Sequence, residues 1–439
     1  MPAPLSLLID HVPGQADGSP RAIELGATGQ ECLLRALSRV PDPRDARGVR
    51  HRLPAVLAMA SAAVLAGSKS FYAIGQWIAG AGQKTLKTLG ARRDPASGRY
   101  LGPDEKTVRR VCAMVDGDAV DGALGRWVTR RTALAVAARS RVGRPRRKAD
   151  RRKADRRSRR AKAAGQRRAR KSVRDRHRPV MPGVAVDGKT ARGARTKEGK
   201  APHLLAAVTH GGIVLAQRQV AEKSNEITAF IPLLQPLDLT GFVITSDAMQ
   251  TQRANARFLR EDKHAHFLFP VLDNQPTLFA RLDALSWAEV PVTARTEDRD
   301  RGRHEIRTIQ VIDAPQDLSF PHINQVLLVE RTTTYQGQTT YQAMLYVTSL
   351  TAEHASPADL LAHVRGHWTV EVTHWVRDVT FSEDASRVRT GNAPRVMASF
   401  RNLAISLLRL DDVTNNAAAL RDNARKDRRA LKLLGLSPG

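Results

Sequence analysis

The chain has 439 residues, too many for one ordinary domain and suited to two or three. An apolar fraction of 42% fills real cores and excludes global disorder. A formal net charge of +28 at pH 7 demands a polyanionic partner, nucleic acid or an anionic membrane.

In chain order, residues 1 to about 28 are rich in Pro, Gly and Asp and read as a loose leader; Met1–Asp10 lacks the basic start of a signal peptide. From 29 to 138 the pattern is helical, with apolar spacing over Leu53–Ala66, Phe71–Ile78 and Val108–Val115, and Gly and Pro between. The Ala-rich run Leu53–Gly67 is 15 residues, short of a membrane span, and reads as a buried helix. Asp104 is an N-cap candidate for a short helix with Arg109 and Arg110 on a basic face. Short helices ending in a basic one resemble a helix-turn-helix; a plain helical bundle with surface arginines is the competing reading. The two cysteines, Cys32 and Cys112, stand in no CxxC and fit a reduced cytosol.

Residues 139–178 hold 21 Lys and Arg against three Asp, a net +18, and include the tandem RRKADRRKADRR at Arg146–Arg157. No apolar face exists there, so the segment is expected to be disordered or marginally helical. Arg146, Arg147, Arg151 and Arg152 are its candidate phosphate contacts; a solvated linker is the blander alternative.

From 179 to 412 the texture is α/β. Strand runs are Gly183–Val186, His203–Thr209, Ile213–Val220, Phe242–Ser246 and His266–Val271, then a β-rich patch within about 285–350 at Glu289–Thr296, Glu305–Ile312, Gln325–Thr333 and Thr340–Thr348. Helices follow at Pro357 to about Val376 and about Pro394 to Leu410, and residues 413–439 read as a tail. Asp187 and Asp247 each end an apolar strand run, at the rim where α/β sheets hold ligands. Two such acids side by side repel unless a cation lies between them, and oxygen ligands select Mg²⁺ or Mn²⁺ over zinc. On the last helix but one, His367, Glu371, His374 and Asp378 share a face, with Trp368, Val372 and Trp375 as an apolar stripe suited to packing on the sheet. Two ions at these acids suit an in-line phosphoryl displacement.

The blocks Asp42–His51, Asp187–Thr190 with Arg192–Gly193, Glu222–Ile227, Asp247–Gln252, Asn274–Gln275 and His367–Asp384 resemble, in order, those of the ISAs family of insertion-sequence transposases, the H-repeat-associated type, within the DDE superfamily. The resemblance covers roughly residues 35 to 410 apart from the basic segment. It implies an RNase H-like catalytic domain with a β-rich insertion behind a small all-α DNA-binding domain. It implies Asp187, Asp247 and Glu371 as catalytic metal ligands, with Asp187 bridging both ions. It also implies double-stranded DNA as partner, element ends and target alike, a homodimer in the DNA complex, and a cytoplasmic, nucleoid-associated protein. Lys189, Arg192, Arg195, Lys223, Asn225, Asn274 and Gln275 are then candidate DNA contacts, although Lys223 and Asn225 equally suit a turn and the arginines a solvated surface. His367 and His374 fit packing or a helper role at the phosphate. Val372 stands where the family usually has Asn, and Leu272-Asp273 where it has Lys-Gly.

Two other readings compete. One is a catalytically impaired copy that only binds DNA. The other is a zinc hydrolase using His363, His367, Glu371 and His374; it leaves both aspartates unexplained, and one helix converges only two or three ligands. If the basic segment neutralises phosphates, deleting residues 139–178 flattens the salt dependence of DNA binding, with slope falling by about 0.9 per phosphate lost. An unchanged slope in a binding titration over NaCl refutes that role.

Overall fold

In a computed structural model the described residues are 31–141, 180–197, 199–221, 225–300 and 302–436. The expected leader and Arg146, Arg147, Arg151, Arg152 and Lys223 lie outside them.

The N-terminal region is helical: α1 (Leu33–Leu37), α2 (Leu53–Leu65), α3 (Phe71–Gly80), α4 (Gln83–Thr88), a small hairpin of β1 (Arg92–Arg93) and β2 (Tyr100–Leu101), α5 (Glu105–Met114) and α6 (Gly117–Arg141). Apart from Pro54, every residue of α2 is buried, which is why its sequence carries no polar stripe. Ser70 and Asp104 cap α3 and α5, accepting from the N–H of Ala73 (3.2 Å) and Thr107 (2.7 Å).

Nine strands form one mixed sheet: β3 (Gly183–Thr190), β4 (His203–Thr209), β5 (Val214–Gln219), β6 (Val243–Ser246), β7 (His266–Val271), β8 (Ala294–Asp300), β9 (Arg303–Asp313), β10 (Gln325–Tyr335) and β11 (Gln338–Thr348). Their spatial order is β5-β4-β3-β6-β7-β11-β10-β9-β8. The pairs β3–β6 and β6–β7 are parallel and the rest antiparallel. The β-rich insertion therefore extends the central sheet, with β11 laid along β7. The strand expected at Glu289–Thr296 begins instead at Ala294, because Pro291 brings no N–H to a ladder.

Helices α7 (Glu226–Leu234), α8 (Arg253–Arg257) and α9 (Pro276–Asp283) are on one side of the sheet; Phe230, Leu259 and Leu282 share a core there with Val184, Val186 and Phe267. On the other side are α10 (Pro357–Gly366) and α11 (Trp368–Val379). The single helix expected over 357–376 is broken at Gly366, where a Cβ would collide with the His210 imidazole. The expected packing of α11 through its tryptophans is also wrong. Val370, Thr373, Val376 and Arg377 are buried, while Trp368, Val372 and Trp375 are exposed. Val370 sits against Ala185, Ala206, Val208 and Val214, where two alanines let the helix come close.

Edge strand β5 is covered by α6, and Gly125 is required because a side chain there would stand 2.5 Å from the Leu215 carbonyl oxygen. Helix α12 (Ala393–Leu410) runs between the helical region and the sheet and is buried along nearly its whole length. Residues 413–436 do not form the expected tail. Helices α13 (Asn416–Arg425) and α14 (Asp427–Leu433) pack on the N-terminal helices, and Asn423 Nδ2 donates to the Leu65 carbonyl at the end of α2 (2.9 Å). Leu57, Leu124, Phe400 and Leu431 thereby belong to one buried cluster. The physical reason is that the apolar faces of α13 and α14 find the N-terminal helices to bury against.

Beneath α11, Glu383 is clamped between Arg377 (Nε 2.8 Å, Nη2 3.0 Å) and Arg401 (Nη1 2.8 Å), all buried. Burial alone would raise the Glu383 carboxyl, but the two guanidiniums outweigh it and hold it down to about 2. Its folded value lies below the unfolded one, so this contribution to stability is full above about pH 4.5 and drains as pH falls towards about 2. Glu383→Gln leaves two buried cations short of a partner, and urea denaturation should show a loss of about 3–5 kcal/mol at pH 7 that shrinks in acid. A loss that is the same at pH 3 as at pH 7 contradicts this.

Candidate active site at the ends of the parallel strands

The register of β3 and β6 sets Val186 opposite Ser246, so the next residue along each is Asp187 and Asp247. Side chains alternate along a strand. Val184 and Val186 face the α7–α9 side, so Asp187 emerges with Ala185 on the α11 side. Thr245 likewise bonds to His367 on that side, and Asp247 follows two residues on. The expectation that Asp187 terminates its strand needs correction: β3 continues to Thr190 because β4 still pairs with it, Asp187 opposite Ala206. Only β6 ends at this level, and Asp247 starts a short 3₁₀ turn at Ala248–Gln250. The Asp187 side chain is 18% exposed and that of Asp247 62%.

Helix α11 brings its polar face over this point. His367 Nε2 lies 3.2 Å from Asp247 Oδ1, and His374 Nδ1 lies 3.4 Å from Asp187 Oδ2. Glu371 comes between them on the helix. Burial pushes its carboxyl above the usual range; His367 pulls the other way, and the charges of Asp187 and Asp247 push further up. Burial also pushes Asp187 up, but His374 and the Gly188 N–H, donating at 2.7 Å, outweigh it and the net shift is downward. Glu371 is thus within electrostatic reach of both aspartates. Among the described residues, however, no three His, Cys, Asp or Glu side chains are drawn together closely enough to cage a metal ion.

A second layer orients the histidines. Thr245 Oγ1 lies 3.2 Å from both His367 Nδ1 and His210 Nε2. Burial, with His363 and His367 nearby, pushes His210 down to about 3, so its ring is neutral. Beside the acids opens a cleft of about 480 Å³ bounded by Asp247, Glu371, Trp368, Tyr346, Arg307 and Arg331. Over the Trp368 ring stand the guanidiniums of Arg303, Arg307 and Arg331, each 5.5 Å from its centre.

The other candidates divide. Lys189 does not face outward: it is 9% exposed and its Nζ binds Asp378 (2.7 Å) and Asp384 (3.5 Å), so Asp378 too is used internally. Asn274 donates to the Ala248 carbonyl and Gln275 to that of Thr251 (2.9 Å), so these amides tether the turn after Asp247. Asn225 caps α7, accepting from Ile227 (3.1 Å). Arg192 and Arg195 are exposed just past β3, and Arg109 and Arg110 are exposed on α5, Arg109 ion-paired with Glu105. Sequence reasoning missed the His203–Glu226 pair (2.6 Å), which rests on Gly188 next to Asp187, with Thr190 Oγ1 on the other ring nitrogen (2.8 Å). Glu226 lay within a recognised block, but nothing in the sequence joins it to His203. The Arg303, Arg307 and Arg331 cluster is likewise visible only once β9 and β10 pair.

Because Lys189 works inside the fold, Lys189→Ala should lower stability by about 1–3 kcal/mol in urea denaturation, through the carboxylates left unpaired. Unchanged stability with weakened DNA binding would restore it as a DNA contact.

Comparison with known proteins gives two family matches, the transposase DDE domain over residues 178–407 and the DDE_Tnp_1-associated domain over residues 34–128. Relatives include the "H repeat-associated putative transposase YhhI" of Escherichia coli (strain K12), 32% identical over 268 residues, covering 55% of this chain and 68% of that one. "Putative protein YbfL" of the same strain is 33% identical over 269 residues, with the same coverage. "Putative transposase YncI" of Escherichia coli O157:H7 is 28% identical over 403 residues, 86% of this chain and 87% of that one. A mixed α/β region with two aspartates on adjacent parallel strands beneath a helical glutamate thus coincides with the matched segment, and the chain belongs to the DDE-domain transposase family.

Proposed function

We propose that this protein is an insertion-sequence DNA transposase that cuts and joins DNA at Asp187, Asp247 and Glu371. The observation that carries the reading is the β3–β6 register, which sets the two aspartates side by side while α11 holds Glu371 within reach of both charges. The order β5-β4-β3-β6-β7, an antiparallel meander followed by two parallel strands, supports an RNase H-like core, with β8–β11 as the insertion. In this reading a helical DNA-binding region precedes a catalytic region, and α12–α14 complete the core of the helical one.

The donor set is oxygen only and fits Mg²⁺ or Mn²⁺, two ions being the reading carried from the family resemblance. A divalent cation would be held by Asp187, Asp247 and Glu371, and when bound it supplies activation of the attacking oxygen and charge stabilisation of the leaving one. In cleavage, a water oxygen bonds to phosphorus as the bond from phosphorus to the 3′ oxygen breaks, and that oxygen departs with a proton. In joining, the freed 3′ hydroxyl attacks a phosphodiester of the target in the same sense. His367 and His374 fix the aspartate carboxylates, and Thr245 and neutral His210 fix His367. The exposed arginines give the surface its attraction for phosphate. Double-stranded DNA is the substrate, and a homodimer serves two element ends at once.

The second reading, DNA binding without catalysis, draws on Val372 and Leu272, apolar and exposed near the acids. Incubation with element-end DNA and Mg²⁺ decides. The transposase reading expects cleavage that falls by at least about 100-fold in Asp247→Ala and Glu371→Gln, with DNA binding retained. Uncut DNA with the unaltered protein leaves the second reading in place.

Electrostatics gives a further test. The Glu371 carboxyl is raised, so its ionisation costs the metal-free fold, and stability falls as pH rises through that raised value. Mn²⁺ should therefore raise the thermal midpoint at pH 8 more than at pH 5, and Glu371→Gln should remove most of that difference. An equal Mn²⁺ effect at both pH values contradicts the assignment.

A further inference from the structure

Three clefts on the surface share residues. The first, about 450 Å³, lies between the start of α3, α5 and the loop from Ser382 to Thr390 that joins α11 to α12. Four cations bound it, Lys69, Arg109, Arg387 and Arg389, and no carboxylate does. Arg387 is exposed and has no ion-pair partner among the described residues. Tyr72, 67% exposed, stands at the rim. The second cleft, about 590 Å³, begins at Arg389, the same side chain, and continues past Lys200 and His203 to Met249. Met249 also bounds the third cleft, the one that contains Asp247 and Glu371.

The floor of this route is held in place. Arg389 Nε donates to the Gly193 carbonyl (3.3 Å), and the Arg192 N–H donates to Asp384 Oδ1 (3.3 Å). Gly193 has no room for a side chain under the carbonyls of Asp384 and Ser386. Gly391, at φ +51°, is pressed against the Ala113 carbonyl of α5, and Asn392 donates from its backbone to that same oxygen (3.0 Å). Both glycines are required where the segment between α11 and α12 packs against the turn after β3 and against α5, so the groove exists before any ligand arrives.

We propose that the three clefts form one continuous track for the sugar-phosphate backbone of the DNA strand to be cut. The strand enters between Lys69 and Arg387, passes Arg389 and Met249, and reaches Asp247 and Glu371. The proposal rests on the transposase reading and adds to it the path by which DNA held at the helical region reaches the acids. The chemistry favours DNA backbone over a peptide: of the entrance cations only Arg109 is tied to a carboxylate, Glu105, so the excess positive charge of Lys69, Arg387 and Arg389 binds phosphate, and an exposed tyrosine offers a ring to sugars and bases.

The test uses the full chain and a fluorescent 40-bp duplex of random sequence, with anisotropy followed over NaCl. Arg387→Glu should weaken binding and lower the salt slope by about one. Arg421→Glu, an exposed arginine on α13 that bounds none of the three clefts, should change neither. Circular dichroism melts establish that both variants fold. In a Cys32→Ser background, a photoactivatable azide is then placed on Tyr72→Cys and, separately, on Met249→Cys. Both should crosslink to the same strand of element-end DNA, Met249 nearer the bond that is cut. The track is overturned if Arg387→Glu behaves like Arg421→Glu, or if the two positions crosslink to opposite strands or Tyr72 to none. Failure of the transposase reading looks different: crosslinks in the proposed order on DNA that Mg²⁺ never causes to be cut.

Discussion

The rest of the structure serves one arrangement, two aspartates set side by side by the β3–β6 register with Glu371 on the helix above them. Asp187 and Asp247 adjoin because two parallel strands share a register, and Glu371 joins them because α11 crosses above. Histidines stand against both aspartates, and Glu371 has a raised carboxyl, chiefly from burial and secondarily from the aspartate charges.

Holding α11 in register is the task of buried ions as much as of apolar contact. Val370 closes onto the alanines of β3 and β4, Arg377 is locked by Glu383 and Arg401, and Asp378 is locked by Lys189. Because Arg401 lies on α12, which is buried among the N-terminal helices, the position of Glu371 is coupled to the helical region. A route for DNA between those two parts therefore has a fixed shape.

Much of this was legible in the sequence. Strands buried on both faces write continuous apolar runs, so His203–Thr209 and His266–Val271 were found at their observed limits. The adjacency of Asp187 and Asp247 followed from two such runs lying side by side, although β3 continues to Thr190 while β6 stops at Ser246. What escaped notice depends on distant partners. Helix α6 has no single apolar face, because it packs on helices and on β5 together. Helices α13 and α14 bury against residues some 350 positions earlier, as with Asn423 and Leu65. The tryptophans of α11 read as a packing stripe, yet the buried face is Val370, Thr373 and Val376, since the strand alanines beneath leave no room for indoles. Lys189, Asn274 and Gln275 read as DNA contacts because their partners, Asp378, Ala248 and Thr251, are brought beside them only by folding.

The most direct measurement is the location of Mn²⁺ by anomalous X-ray scattering from crystals grown with the ion. The account places density against the carboxylates of Asp187, Asp247 and Glu371 together, with the two histidines moved off the aspartate oxygens that the ion takes. Manganese bound elsewhere, with Glu371 turned to solvent and both histidines still on the aspartates, would contradict it.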